Sequence, residues 1–267
     1  MKGCLVRPGE RVRLAQIDSD GTPGFRGGKD DAQRALAKLT VRLEKLQELL
    51  YAEHKHSLLI VLQGLDSAGK DGTIRRVFTG VNPEGVRVAR FRIPSVLERD
   101  HDFLWRVHEQ VPVRGEMVLF NRSHYEDVLV TRVHRLISKE VWERRYREIT
   151  EFERSLNDEG TTVLKFFLHI SRGEQKRRLK ERLADPTKHW KFAESDLQER
   201  TLWASYMKAY EEAISKTSTP WAPWYVVPSN RKWFRDLFVS ERIVRTLERF
   251  RMRYPPLLPE FRSTRVR

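Results

Sequence analysis

Three observations predict an α/β fold built on a parallel sheet. Five apolar or alternating runs, at residues 58–62, 86–93, 116–120, 161–169 and 224–227, are separated by stretches with helical spacing. Strands that alternate with helices join as parallel neighbours through right-handed crossovers, which puts ligands beyond the carboxyl ends of the strands. The first run then passes straight into a loop, Gly64-Leu65-Asp66-Ser67-Ala68-Gly69-Lys70-Asp71-Gly72-Thr73, whose glycines and lysine fall where strand turns into helix. At 267 residues the chain fits one such domain, with room for an inserted subdomain.

Taken in order, residues 1–28 carry glycines at 9, 21, 24, 27 and 28 with little periodicity, and are expected to form an irregular arm. From Asp30, apolar residues recur at Ala32, Leu36, Leu39, Leu43, Leu46 and Leu50, the spacing of one face of a long N-terminal helix. The seven-residue spacing also suits a coiled coil, but the e and g charge pairing that would support one is not evident. Strand Leu58 to Leu62, the loop and its helix follow, and Gly80-Val81-Asn82-Pro83-Glu84-Gly85 ends that helix. A strand over Val86 to Ile93, a helix from Val96 to Val107 and a strand over Glu116 to Phe120 come next. Helices are expected from Tyr125 to Leu136 and from Lys139 to Leu156, with Thr161 to His169 as a continuous apolar strand covered on both faces. A basic helix, Glu174 to Leu183, stops at Asp185-Pro186, and a helix over Asp196 to Ile214 follows. Trp224 to Val227 is the last strand, and a helix over Lys232 to Arg251 closes the domain before Pro255-Pro256. The expected division is therefore an arm at 1–28, a main domain at 29–254 with a lid near 172–195, and a basic tail at 255–267.

Composition narrows the function class. Fifty-one Lys and Arg against 37 Asp and Glu give a formal charge of +14, which steers polyanions to the surface. Eight of those cations, against three acids, lie between Arg172 and Lys191; the arginines after Glu241 read as a solvated face. One cysteine, Cys4, excludes a disulfide framework and fits a reducing compartment. The N-terminal residues lack the apolar core of a signal peptide, and no run approaches about 18 apolar residues. A cytoplasmic protein with no membrane partner is expected.

The loop is the first candidate site. Successive backbone N–H groups, the helix N-terminus and the Lys70 ammonium make a phosphate cradle from Gly64, Ala68, Gly69, Lys70, Asp71, Gly72 and Thr73. Such loops place Ser or Thr after the lysine to hold magnesium, yet here that position is Asp71. The nearest hydroxyl is Thr73, and the loop carries its own carboxylate at Asp66, so metal is expected at Asp66. The second site is Asn121-Arg122-Ser123-His124-Tyr125-Glu126-Asp127, at the end of the third strand. Arg122 suits a bidentate phosphate clamp and Asn121 a contact to metal, its water or phosphate, making Asp66, Lys70, Asn121 and Arg122 the catalytic candidates. Glu126 and Asp127 are either ligands or acids that favour the first turn of a helix. The third is the basic segment with Arg178, Arg182, Lys188 and Lys191 on either side of Asp185-Pro186, the pattern of a lid that closes over phosphates.

Five segments carry a resemblance. Gly64 to Thr73, Val81 to Val86, Phe103-Leu104-Trp105-Arg106, Phe120 to Val130 and Asp185-Pro186-Thr187-Lys188-His189-Trp190-Lys191 together resemble the polyphosphate kinase 2 family, from about Gly28 to Phe250. The resemblance implies a P-loop kinase fold of the thymidylate-kinase-like kind, with a helical, arginine-rich lid. It implies phosphoryl transfer between inorganic polyphosphate and a nucleotide, with magnesium, or manganese in its place, as cofactor. By matching position, Asp66 looks like the metal-binding and catalytic aspartate, Lys70 like the loop lysine, Asn121 and Arg122 like the second motif, and Arg178 and Arg182 like the lid. Many members have Asp where this chain has Asn121 and Trp-Tyr-Asn-Arg after the serine. His124-Tyr125-Glu126-Asp127 instead resembles the subclass that phosphorylates both AMP and ADP, with guanine nucleotides as further candidates and a homo-oligomer expected. An ATP-dependent nucleoside or nucleotide kinase is the main alternative. A nucleic-acid-binding protein is the other, but the tryptophans at 142, 190, 221, 224 and 233 read as core or lid packing rather than a stacking platform.

Overall fold

The computed structural model describes residues 3–261. Five strands form one sheet: β1 (Ser57–Gln63), β2 (Val86–Arg90), β3 (Met117–Asn121), β4 (Thr161–His169) and β5 (Trp224–Pro228). Their spatial order is β2-β3-β1-β4-β5 and every pairing is parallel. The chain winds to one side of β1 through β2 and β3, then crosses to the other through β4 and β5. That change of direction opens a crevice at the carboxyl ends of β1 and β3, where register pairs Leu62 with Asn121.

β1 is buried at all seven positions, and its alternate side chains feed two separate cores. Leu59 and Val61 pack with α5 (Glu126–Val133), α6 (Lys139–Asp158) and α9 (Trp203–Thr217). Leu58, Ile60 and Leu62 pack with α1 (Lys29–Glu53), α2 (Lys70–Val77) and α10 (Lys232–Arg249). The long N-terminal helix is present as α1. Gly28 caps it, donating its N–H to the Asp31 carboxylate at 2.9 Å, and His54 ends it in the left-handed region at φ +57°. Its buried stripe is Ala32, Leu36, Leu43, Leu46 and Leu50, with Leu39 half-buried.

Three local expectations need correcting. The strand expected over Val86 to Ile93 ends at Arg90, because β2 is an edge strand whose pairing runs out with β3 at Asn121. The helix expected over Val96 to Val107 is two short helices, α3 (Val96–Asp100) and α4 (Trp105–His108). Between them Asp102 turns its carboxylate onto the Leu104 N–H at 2.9 Å, a local capping bond that competes with helix continuation. The helix expected over Asp196 to Ile214 is broken at Leu202 into α8 (Glu194–Thr201) and α9. The N-terminal residues are stitched to the sheet: Val6 N–H donates to Trp224 O at 2.9 Å and Val226 N–H to Cys4 O at 2.8 Å. These bonds cover the outer edge of β5, an edge that would otherwise invite pairing with other chains. Burial pushes the Cys4 thiol up to about 12, so it packs rather than reacts.

The segment expected to form a lid contains α7 (Arg172–Ala184) and a 3-10 turn, Pro186–Lys191. Among the described residues no helix is long and apolar enough to cross a membrane. Three arginines of the basic tail, at 262, 265 and 267, lie outside the described residues.

The packing of α1 on α10 sets a stability expectation. Leu43 is fully buried in that seam. Leu43→Ala should cost about 2–5 kcal/mol in denaturant unfolding, whereas Val41→Ala on the exposed face of the same helix should cost under about 0.5 kcal/mol. Equal losses would show that the helix is not held by this stripe.

Candidate active site

The loop after β1 is shaped by two glycines that need positive φ. Gly64 sits at φ +153°, where a Cβ would crowd Leu168 O and the Ala68 methyl; Gly69 sits at φ +109°, where a Cβ would collide with the Arg235 guanidinium. The turn delivers Lys70 to the start of α2. Its ammonium donates to Gly64 O at 2.6 Å. Burial and the nearby Arg122 depress its pKa, while Asp66, Glu126 and Asp71 work the other way.

β3 ends beside this loop and supplies the second wall. Asn121 donates its side-chain amide to Asp71 at 2.6 Å, tying the strand end to the position where Ser or Thr is usual. Arg122 holds φ +65°, a left-handed conformation unfavourable for a side chain with a Cβ. It donates to Asp66 at 3.0 Å and to Glu126 at 3.4 Å. Burial works against its charge, but Glu126 and Asp66 outweigh that and hold it protonated. Glu126 itself is shifted upward, chiefly by burial, with Arg122 and Lys70 opposing.

Asp66, Lys70, Asp71, Asn121 and Arg122 line a cleft of about 730 Å³, whereas Glu126 pairs with Arg122 outside that lining. Eleven lysines and arginines face four carboxylates around it. The lid contributes Arg178, Arg182, Lys188, Trp190 and Lys191 to the wall; Arg182 is half-buried near Asp196 and the Lys191 carbonyl, Lys188 pairs with Asp185 at 2.6 Å, and the Lys191 ammonium lies 4.8 Å from the exposed Trp190 ring.

Not every expected residue points at this space. Thr73 is fully buried, with its hydroxyl 3.4 Å from the Asp236 carboxylate, so it braces α2 against α10 instead of facing phosphate. Asp127 is buried against Arg106 at 3.2 Å and Arg145 at 4.0 Å, which makes it a structural acid, whereas its neighbour Glu126 faces Arg122. Gly64 and Ala68 lie behind the wall, and Ala68 presents its carbonyl to Arg178 and Arg235. Arg178 borders the cleft, but its donors go to Glu174 and to the carbonyls of Ser67, Ala68, Ser229 and Asn230. All five N–H groups of a guanidinium are then engaged, so Arg178 clamps the loop to β5 rather than offering itself to a polymer.

The sequence reading missed Arg75, Arg90, Arg92, Lys232 and Arg235, all on the cleft wall. Arg90 and Arg92 were legible in principle, since they alternate at the carboxyl end of β2, where ligands collect. Lys232 and Arg235, near the start of α10, carry no local signal that they reach this cleft, where Arg235 donates to Ala68 O, 167 positions earlier.

As a chemical device the site offers oxygen ligands and cations together. Asp66 and Asp71 both reach the cleft, which matches the one or two carboxylates magnesium uses when phosphate oxygens and water complete its shell. Among the described residues no group of three or more His, Cys, Asp or Glu side chains makes an all-protein metal cage.

Known proteins resemble this chain in sequence and in fold. The family model described as polyphosphate kinase 2 matches residues 26–254. The chain is 58% identical over 266 residues to the AMP/ADP-polyphosphate phosphotransferase of Meiothermus ruber, covering 100% of this chain and 99% of that one. It is 42% identical over 274 residues to the ADP-polyphosphate phosphotransferase of Rhodopseudomonas palustris, covering 98% and 94%. Its fold superposes on the crystal structure of polyphosphate kinase 2 from Arthrobacter aurescens with a TM-score of 0.91 at 44% identity, over 94% of this chain and 90% of that one. The five-stranded parallel sheet is that of the solved relative, and the chain belongs to the polyphosphate kinase 2 family.

Proposed function

We propose that this enzyme transfers a phosphoryl group reversibly between inorganic polyphosphate and both AMP and ADP. The observation that carries the reading is the charge of the cleft: eleven cationic side chains around about 730 Å³ exceed what one nucleotide needs and suit two polyanions held end to end. The relatives named for AMP/ADP-polyphosphate and ADP-polyphosphate transfer support the same substrates, and an ATP-dependent kinase is not favoured.

In this reading Lys70 leaves Gly64 O for an outer phosphate and Arg122 clamps the transferring group, both matched to charge spread over equatorial oxygens. Arg182, Lys188 and Lys191 hold the polymer from the lid side. An acceptor phosphate oxygen attacks the terminal phosphorus, forming one P–O bond as the bond to the polymer breaks, and the shortened chain leaves with that bond's electron pair. Magnesium, or manganese, would be held by Asp66 and Asp71 and would neutralise oxygen charge between the two substrates. Asn121 serves by holding Asp71 through its amide rather than as a first-choice ligand. Nucleic acid is not proposed as a partner: Trp142 and Trp224 are buried, and Trp190 alone of the three is exposed, on the cleft wall beside Lys191.

Incubating AMP, ADP or GDP with polyphosphate and magnesium, and reading the nucleotide products, tests this directly. ATP should form from ADP and from AMP by way of ADP, and chelation of the metal should abolish it; no product from either adenine nucleotide would overturn the reading. Lys70→Ala and Asp66→Ala should each lower turnover by at least about 10²-fold, with near-normal rates in both excluding the site. Arg182→Ala should raise the polyphosphate concentration needed and flatten its dependence on salt, as removal of a phosphate contact does. An unchanged salt slope would mark Arg182 as a solvated side chain.

A further inference from the structure

The segment Thr161 to His169, read from sequence as continuously apolar, carries one cation at its centre. Lys165 is fully buried, flanked along the same face of β4 by Val163 and Phe167. Its ammonium donates to Glu153 Oε2 of α6 at 2.5 Å, to the Tyr125 hydroxyl at 2.8 Å and to Thr217 O at 2.8 Å. The other Glu153 oxygen accepts from the Tyr125 hydroxyl at 2.9 Å and lies 3.2 Å from His124 Nε2. Glu153, His124 and Tyr125 are likewise buried without exposure. Two ions withdrawn from water in this way rarely add net stability over an apolar pair of similar size, so stability alone does not explain them.

Their contacts explain them better. Both residues that Glu153 reaches besides Lys165 lie in the turn that follows Arg122, and Lys165 reaches the same tyrosine. That turn is anchored at each step. Arg122 N–H donates to Leu62 O at 3.1 Å, and Ser123 Oγ accepts from Gln63 at 3.0 Å and from the Tyr125 N–H at 3.2 Å. Arg122 sits at φ +65°, a conformation that persists only where the surroundings over-determine it. We infer that the buried Lys165–Glu153 pair, acting through His124 and Tyr125, is a positioning device that fixes the Arg122 turn at the phosphate cleft. The inference rests on the proposed transfer reaction, in which Arg122 clamps the moving phosphoryl group. His124 and Tyr125 are positioning residues: they touch the turn, not the substrate.

Tyr125→Phe removes one hydroxyl and keeps the ring, and steady-state kinetics with ADP and polyphosphate should show kcat lower by about tenfold, the scale of one hydrogen bond to a charged group. KM for either substrate should move by less than about twofold. The decisive measurement is the pair with Arg122→Ala: if the hydroxyl acts through Arg122, adding Tyr125→Phe to Arg122→Ala should change kcat by less than about twofold. Full multiplication of the two losses, or wild-type kcat in Tyr125→Phe alone, would overturn the inference. A second variant, Glu153→Leu with Lys165→Met, removes both ions and refills the space. If it melts near the wild type, its kcat should still fall by about tenfold, and an unchanged kcat would overturn the inference. Should it melt much lower, the Tyr125→Phe pair decides. Wild-type turnover separates the two claims: its absence removes the transfer reading and the inference together, whereas robust wild-type turnover with an undiminished Tyr125→Phe variant removes the inference alone.

Discussion

The structure is organised around the mutual repulsion of eleven cations gathered in one cleft. Four cations near the loop are each held by carbonyl or carboxylate oxygens. Lys70 rests on a carbonyl, Arg122 on two carboxylates, Arg178 on four carbonyls and a glutamate, and Arg235 on Asp236. The cost of crowding is still visible in the charges: burial first and Arg122 second depress Lys70, and burial first and Arg178 second depress Lys232. A polyanion bound there, as proposed above, would set counter-charge beside both.

That arrangement depends on the sheet. Pairing of Leu62 with Asn121 brings the ends of β1 and β3 level, which is why Asp66 from one loop and Arg122 from the next meet at 3.0 Å. A slip of one residue would turn Asn121 and Arg122 to opposite faces and separate the pair. The two apolar cores, one on each side of β1, hold that register, so the chemistry at the strand ends inherits its precision from Leu58 to Leu62.

What sequence reveals here tracks how local the cause is. The loop, the strands and α1 were legible because period, glycine placement and the abrupt change from apolar to polar lie within a few consecutive residues. Glu126 and Asp127 are adjacent and chemically alike, yet one faces Arg122 and the other Arg106; only the rotation of α5 against α4 and α6 decides which. Arg178 looked like a lid cation because a basic helix shows its charge and not its acceptors, which come from carbonyls 110 and 51 positions away. Lys165 passed unnoticed for a similar reason: its counterion lies on a neighbouring helix, and one lysine does not disturb an apolar run. Breaks at Asp102 and Leu202 escaped because a side-chain cap or a single irregular residue interrupts a helix without changing its hydrophobic period.

The antiparallel bridge between Leu5 and Tyr225 has a consequence for how the molecule comes into being. It joins residues 220 positions apart, so the outer margin of the sheet cannot be sealed until β5 has been synthesised. On the ribosome, β1 to β4 can assemble first, while residues 4–6 wait for a partner that emerges last. Loop-closure entropy makes such distant pairings late events, and the bridge therefore acts as a latch on a nearly finished sheet rather than a seed for it.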